Sequence, residues 1–490
     1  MLIRKNHKIG DEKMKYVIGI DGGTQSTKVA IFTLDGEIVC EQKNTLRPLY
    51  SPDADTAEHP DDDLWDSLKT TGRQVMEKFQ GNPEDIIAIG LGSIRCCRTY
   101  LKKDGTLAYP VLNWMDKRLA KPYPGNIPEF QYLSTTTGYL TVRLTGNFCD
   151  TAANYEGVYG PFDKESWKWS ENPEDYEPYN ITRENLFDLV MPGEELGKIT
   201  KQAALETGFP ENCPVIATAN DKAAEGLGAG IIDDSSCLIS LGTYIGGMVN
   251  GHEFNDDATH YWSNLSAIPN RYLYEGMQGI RRGMWSVSWF KEVLGKPWND
   301  LAENENTCVE QLLEDEAMKL SAGSDGLITV PEFLSPNNIP YRKAYMIGFD
   351  GRHKRAHMYR SILESIAMTM HMSMEDMFEE MGYKPERLII SGGGSKSKLF
   401  MQIFADVFGM PTVRNDVTDA AGVGAAICAA VGVKAYDTVE EAVSKMVRIK
   451  DEFQPNLENT AVYVRVENEV YRTIKKYSDP VNESIYNIFG

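Results

Sequence analysis

The first apolar run of the chain, Tyr16–Ile20, breaks at Asp21-Gly22-Gly23. It passes through Thr24, Gln25, Ser26, Thr27 and Lys28, and apolar positions resume at Val29–Phe32. Two short apolar runs around a small polar tip predict a β-hairpin. A third strand is predicted at Ile38–Cys40, after an Asp35-Gly36 turn. The stretch 60–79 predicts a helix, with the acidic residues Asp61, Asp62 and Asp63 at its start, where the helix dipole favours negative charge. Asp85–Leu91 reads as a buried strand. Three strands, a helix and a further strand are the order of an α/β unit with a mixed sheet.

The second half opens in the same way. Ser236–Leu241 is an apolar strand, followed by the turn "GTYIGG" and the apolar pair Met248-Val249. A helix is predicted at Arg355–Met381, a strand at Arg387–Ile390, a glycine turn at "SGGGS" and a helix at Lys398–Phe408. Lys121–Pro128 and Glu171–Asn180 read as loops from their proline, glycine and acidic residues. The pattern predicts two related α/β domains, residues 14–232 and 233–490.

Composition is ordinary for a globular chain: 42% apolar and 25% charged. The net charge of −21 repels phosphate backbones and anionic lipid, which argues against nucleic acid and membrane partners. No apolar run approaches the ~18 residues of a membrane span. The segment Met1–Lys13 is basic, lacks the apolar centre of a secretory signal, and reads as a loose extension, with Met14 an alternative start. Eight cysteines without a C-x-x-C pair suit a reducing cytoplasm.

What the hairpin tip holds is the chemical question. Small residues let backbone N–H groups approach an anion, Ser and Thr add hydroxyl donors, and Lys28 adds positive charge. An aspartate beside a phosphate makes sense when a divalent cation lies between them, since Mg²⁺ takes one or two carboxylates, waters and phosphate oxygens. The tip therefore suits a Mg-nucleotide; a plain solvated hairpin remains the other reading. Neither G-x-x-x-x-G-K-[ST] nor a strand-borne G-x-G-x-x-G occurs.

Four further stretches extend this pattern: "ATANDKAAEGLGAG" from Ala217, "ISLGTYIGG" from Ile239, "YMIGFDGRHKRAHMYRSILESIAM" from Tyr345 and "SGGGSKSKLFMQIFADVFGMP" from Ser391. With "AEHPDDDLWDSL" and "YLTVRLTGNFCDTAANYEGVY", the chain after Met14 resembles the FGGY family of carbohydrate kinases. Phe349 departs from the smaller aliphatic usual at its place. The resemblance implies two actin-like (RNase H-like) ATPase domains with a ligand cleft between them, the first domain on the sugar side and the second on the nucleotide side. It also implies ATP, Mg²⁺, a small sugar or polyol substrate, a cytoplasmic enzyme and, in many members, a homodimer.

By that resemblance Thr24, Gln25, Ser26 and Lys28 flank the transferred phosphate, and Asp21 holds Mg²⁺ through water. Gly242 and Thr243 form a second phosphate turn, and Gly393 and Ser397 lie by the adenosine. On the residues alone Asp221 reads first as a helix cap; with the family pattern around it, it is the expected catalytic base, and the two roles can coexist. Asn220 is expected beside it, touching substrate. Ile94, Arg95 and Cys96 fall where relatives contact sugar, but Ile-Arg-Cys matches neither the Q-R-E of glycerol kinases nor the Q-M-H of xylulose kinases. Trp114 and Asp116 resemble the W-x-D of ketose kinases: the indole would stack on the sugar and the carboxylate would accept two hydroxyls. The plainer reading has Trp114 in the core and Asp116 paired with Lys117 or Arg118. Only about twenty residues separate "NWMDKR" from "GYLTVRLTG", shorter than in many relatives, so the substrate does not transfer. These departures place the chain in a less-characterised sugar-kinase branch. The expectation is an ATP-dependent phosphotransferase acting on an alcohol group of a sugar, ketose or polyol. The alternative is a catalytically silent nucleotide- and sugar-binding regulator of the same fold.

Overall fold

The predicted hairpin forms. Strand β1 (Tyr16–Gly22) runs antiparallel to β2 (Ser26–Thr33), with Asp21 opposite Lys28 and Gly22 opposite Thr27. Strand β3 (Ile38–Thr45) extends the meander beyond its predicted end. Gly36, at φ +77°, makes the turn between β2 and β3 in a conformation that side chains resist. The computed structural model describes residues 14–155, 160–336, 338–417 and 419–490; Met1–Lys13 lies outside the described residues.

Beyond the meander, β4 (Ile86–Ser93) pairs parallel to β1, and β6 (Pro214–Asn220) pairs parallel to β4. With β5 (Glu195–Lys198) at one edge, the six-stranded sheet has the order β5-β6-β4-β1-β2-β3. The parallel strands are apolar along most of their length because both of their faces are covered, with polar residues gathered toward their carboxyl ends. Helix α1 (Asp63–Lys78) lays Leu64, Trp65, Leu68 and Val75 on Ile18, Ile20, Val29 and Ile31 in one core. Burying such a side chain contributes roughly 1.5–3 kcal/mol. Helix α2 (Thr136–Thr145) adds Tyr139, Leu140 and Leu144 to that core. Helix α1 begins at Asp63, three residues later than predicted, and the Asp63 carboxylate accepts from the backbone N–H and Nε of Arg47, both at 2.9 Å.

A seven-stranded sheet forms the second assembly. Its order is β9 (Tyr261–Leu265), β10 (Tyr272–Gly276), β8 (Ile245–Gly251), β7 (Ser236–Leu241), β11 (Arg387–Ser391), β12 (Thr412–Asn415) and β13 (Ile449–Phe453). Helices α5 (Arg355–Met381) and α6 (Lys398–Phe408) have the bounds the sequence predicts. Ile362, Ile366, Met370, Met374 and Met377 from α5 pack in one core with Ile239, Val249, Leu388 and Ile390 of the sheet.

The chain divides into two compact units, and they do not follow the division at 232/233 throughout. Of the described residues, the first holds those within 14–228, 265–271 and 421–447, and the second those within 229–264, 272–420 and 448–490. Helix α7 (Ala420–Gly432) explains the return of the chain to the first unit. It packs backbone to backbone: a Cβ on Gly19 of β1 would lie 2.1 Å from the Gly422 carbonyl oxygen, and one on Gly90 of β4 1.9 Å from that of Ala425. Among the described residues no helix is long and apolar enough to cross a membrane.

Candidate active site

Parallel pairing gathers the candidate residues of the first unit. Ser93, at the end of β4, stands opposite Gly22 on one side and Asn220 on the other. Three neighbouring strands therefore end together, carrying Asp21, the Ile94-Arg95-Cys96 turn and Asn220-Asp221. The carboxyl ends of parallel strands are where open α/β sheets bind ligands. The β4 end is held in place: Ile94 N–H and the Ser93 hydroxyl donate to the Gly22 carbonyl at 2.8 and 3.3 Å, and Thr136 Oγ1 donates to the Ile94 carbonyl at 2.9 Å. Cys96 takes φ +56°, a left-handed conformation that costs a side-chain-bearing residue of order 1–3 kcal/mol and tends to occur at functional sites.

At the hairpin tip, Gly23 N–H donates to the Ser26 carbonyl at 3.0 Å. Lys28 Nζ lies 3.1 Å from Asp21 Oδ2. Ser26 is buried, Thr24 and Lys28 are half-buried, and Gln25 is exposed. Among the described residues no group of three or more His, Cys, Asp or Glu stands ready to hold a metal. The tip's single carboxylate fits a Mg²⁺ that keeps its waters and takes its other ligands from phosphate.

Asn220 and Asp221 divide the two roles that the sequence leaves open. Asn220 Oδ1 accepts from the N–H groups of Lys222 and Ala223 at 3.1 and 2.9 Å, so Asn220 caps helix α3 (Asp221–Ala229). Its Nδ2 is buried and has no hydrogen-bond partner among the described residues. Asp221 is the first helical residue and is half-exposed; its Oδ1 accepts from Lys222 N–H at 3.1 Å.

The "NWMDKR" segment forms a tight turn. Asn113 Oδ1 accepts from Met115 N–H at 3.1 Å, and the Asn113 carbonyl accepts from Asp116 N–H at 2.8 Å. Trp114 is 52% exposed and so is not a core residue; its Nε1 donates to Thr24 Oγ1 at 3.3 Å. Asp116 differs from the expectation. Its side chain is 0% exposed, and both oxygens are occupied: Oδ1 accepts from Arg118 N–H and Nε at 2.9 Å each, and Oδ2 from Ala57 N–H at 2.8 Å and Arg118 Nη2 at 2.5 Å. As placed, it offers no oxygen to a sugar hydroxyl and instead fastens the turn to the Ala57–His59 segment.

Electrostatics tie these pieces together. Burial pushes the Asp116 carboxyl up, but the bonds from Arg118 and Ala57 outweigh it and hold it below the usual carboxylate range. Burial pushes the Cys97 thiol well above its usual range, opposed by a bond from the Trp114 backbone and reinforced by the charges of Cys96 and Asp221. Burial lowers His59 to about 4, so its ring is neutral near pH 7; its Nε2 lies 3.1 Å from Asn113 Nδ2. Asp150, fully buried, is pushed up to about 6 by burial, against donors from Thr135, Tyr155 and Thr151.

In the second unit β7 and β11 run parallel, with Ser240 opposite Ser391, so the turns that follow them lie side by side. The Gly242 and Thr243 carbonyls accept from Met284 and Gly283 N–H at 3.2 and 2.8 Å, at the start of helix α4 (Gly283–Leu294). Thr243 and Gly393 are exposed. Ser397 caps α6, its Oγ accepting from Phe400 N–H at 3.0 Å, which leaves its O–H to donate.

Residues 16–124 match the N-terminal domain, and residues 237–433 the C-terminal domain, described as the FGGY family of carbohydrate kinases. Over 97% of its length the chain is 48% identical to the uncharacterized sugar kinase YgcE of Escherichia coli, covering 96% of that protein. The chain belongs to the FGGY family of carbohydrate kinases. These kinases are phosphotransferases with an alcohol acceptor, and they use ATP, generally with Mg²⁺. The fold is the family's two-domain actin-like ATPase fold. The solved xylulose kinase of Rhodospirillum rubrum and gluconate kinase of Lactobacillus acidophilus each superpose with a TM-score of 0.80, at 22% and 19% identity, over 96% of this chain and 100% of theirs. These two structures are named for different acceptors, and the likeness shows the fold alone.

Sequence reasoning missed the support beneath the site. Asp55, Glu58, His59 and Asn113 hold the Trp114 turn: Lys117 N–H donates to the Asp55 carbonyl at 3.0 Å and Arg118 Nη2 to Glu58 at 2.7 Å. The signal lay in "AEH", whose two ionisable residues directly precede the predicted helix.

Proposed function

We propose that this FGGY kinase transfers the γ-phosphoryl of ATP to a hydroxyl of a sugar, ketose or polyol, with Asp221 as the base. The observation that carries this reading is the division of labour at α3: Asn220 makes the cap bonds, and Asp221 stands at the common strand ends with Asp21 and Arg95. Asp221 accepts the proton of the attacking hydroxyl and orients it; in a loose transition state that transfer comes late. Thr24, Gln25, Ser26 and Lys28 surround the phosphate, and Gly242, Thr243 and Gly393 meet the nucleotide. Asp21 would hold the Mg²⁺ that accompanies ATP, and the ion would supply charge neutralisation on the phosphoryl oxygens. Arg95, Cys96, Trp114 and the Asn220 amide line the acceptor side, with Asp116 supporting it from behind.

An ADP-release assay across pentoses, hexoses, ketoses, aldonates and polyols tests the reading. Sugar-dependent ADP release by the wild type and its loss in Asp221→Asn are expected. Binding of nucleotide and sugar without turnover on any acceptor would favour the silent regulator instead.

A further inference from the structure

The bond from Trp114 Nε1 to Thr24 Oγ1, at 3.3 Å, joins residues 90 positions apart. Both ends are built from behind. On the Thr24 side, Gly23 N–H donates to the Ser26 carbonyl at 3.0 Å, and the Gln25 carbonyl accepts from Leu46 N–H at 2.9 Å. On the Trp114 side, Asn113 N–H donates to the Ala57 carbonyl at 2.8 Å, and the Asn113 side chain meets His59 at 3.1 Å. The indole has one polar atom, and the structure spends it on the phosphate turn, while the ring stays 52% exposed. A hydroxyl has one donor and two lone pairs. Accepting from the indole fills a lone pair of Thr24 and leaves its O–H to donate, which is the polarity a phosphate oxygen needs.

We propose that Trp114 is a positioning residue for phosphoryl transfer. Its N–H orients the Thr24 hydroxyl, so the ring that meets the sugar and the turn that meets the γ-phosphate are set by one hydrogen bond. Acceptor bound against the ring steadies the indole and thereby Thr24. Transfer to a bound sugar is favoured over transfer to water. The inference rests on the proposed kinase reading.

Trp114→Phe keeps an aromatic face and removes the N–H; Thr24→Val removes the hydroxyl at similar shape. In Trp114→Phe the KM for sugar stays within about twofold, while kcat falls by about two- to twelvefold, the range of one hydrogen bond. In the Thr24→Val background the same change has no further effect, because the bond is already gone. A ligand-free readout runs alongside. The indole N–H signal of Trp114, assigned by its loss in Trp114→Phe, exchanges with solvent faster in Thr24→Val than in the wild type. Equal kcat losses in both backgrounds, wild-type kinetics in Trp114→Phe, or unchanged indole exchange in Thr24→Val would each overturn the proposal. If Trp114→Ala raises the KM for sugar in that event, the sugar-site reading stands and only the coupling falls. Wild-type protein that releases no ADP with any acceptor would overturn both.

Discussion

Arg118 grips Asp116 with both arms of its guanidinium, Nε on Oδ1 at 2.9 Å and Nη2 on Oδ2 at 2.5 Å. Planar bidentate pairing of this kind is the strong form of the Arg–carboxylate bond. Removing Asp116 leaves the buried Ala57 N–H without its acceptor and Arg118 with Glu58 as its remaining carboxylate and the Tyr109 hydroxyl as a neutral acceptor.

Asp116→Ala therefore lowers the melting temperature, by an amount equivalent to about 2–3 kcal/mol once the 33% exposure of Arg118 is allowed for. Asp116→Asn is nearly as damaging, because an amide NH₂ then faces the guanidinium. Direct sugar binding would instead leave stability untouched and make the Asn variant the milder. Melting temperatures and the KM for sugar, measured on the same preparations, separate the two.

Asp221→Asn cannot accept the proton of the attacking hydroxyl. Turnover falls on the order of 10²–10⁴-fold, while nucleotide binding, followed by calorimetry, is retained. The cap bonds come from Asn220, so the melting temperature changes little. Full activity in the purified variant would reject the base assignment.

Two buried groups give stability opposite slopes against pH. Asp150 is raised from 3.8 to about 6, so the folded state binds more protons between those values and loses stability as pH rises through them. His59 is lowered from 6.5 to about 4, so the unfolded state binds more protons and stability falls as pH drops through that window. Each contributes on the order of 3 kcal/mol across its window. In urea titrations from pH 4 to 6.5, Asp150→Asn gains on the wild type as pH rises, and His59→Gln gains on it as pH falls. Differences that do not change with pH would contradict these assignments.

Gly90→Ala sets a methyl group 1.9 Å from the Ala425 carbonyl oxygen, and the backbone on both sides has no room to yield. Overpacking of this kind costs at least about 1–3 kcal/mol. The melting temperature drops sharply, and Gly19→Ala behaves alike, with its methyl 2.1 Å from the Gly422 oxygen. At Gly393 an added Cβ meets no atom of the described residues within 4 Å, so Gly393→Ala leaves stability unchanged. If all three variants melt together, the close docking of α7 is not what these glycines serve.

Local pattern set the elements of this chain, since each is specified by bonds and turns a few residues long. Helices α5 and α6 agree with their predicted bounds because Gly382 and Gly409, at φ +77° and +62°, stop them in a conformation glycine adopts freely. The Asp21 tip was legible for a similar reason: β1, the turn and β2 are contiguous. Tertiary structure alone decided what the side chains do. "ND" at Asn220 and Asp221 offers two side chains suited to a cap; the structure gives the cap bonds to Asn220 and seats Asp221 at the ends of β4 and β1, strands more than a hundred residues earlier. Asp116 has an exposed tryptophan two residues before it and looks equally available, yet the Ala57 N–H that helps to occupy it lies 59 residues away. Helix α7 reads as a string of small residues, and only the strands it meets at Gly19 and Gly90 reveal that it belongs to the first unit. Propensity and capping act over a few residues of chain, whereas the occupancy of a lone pair depends on whichever donor folding carries to it.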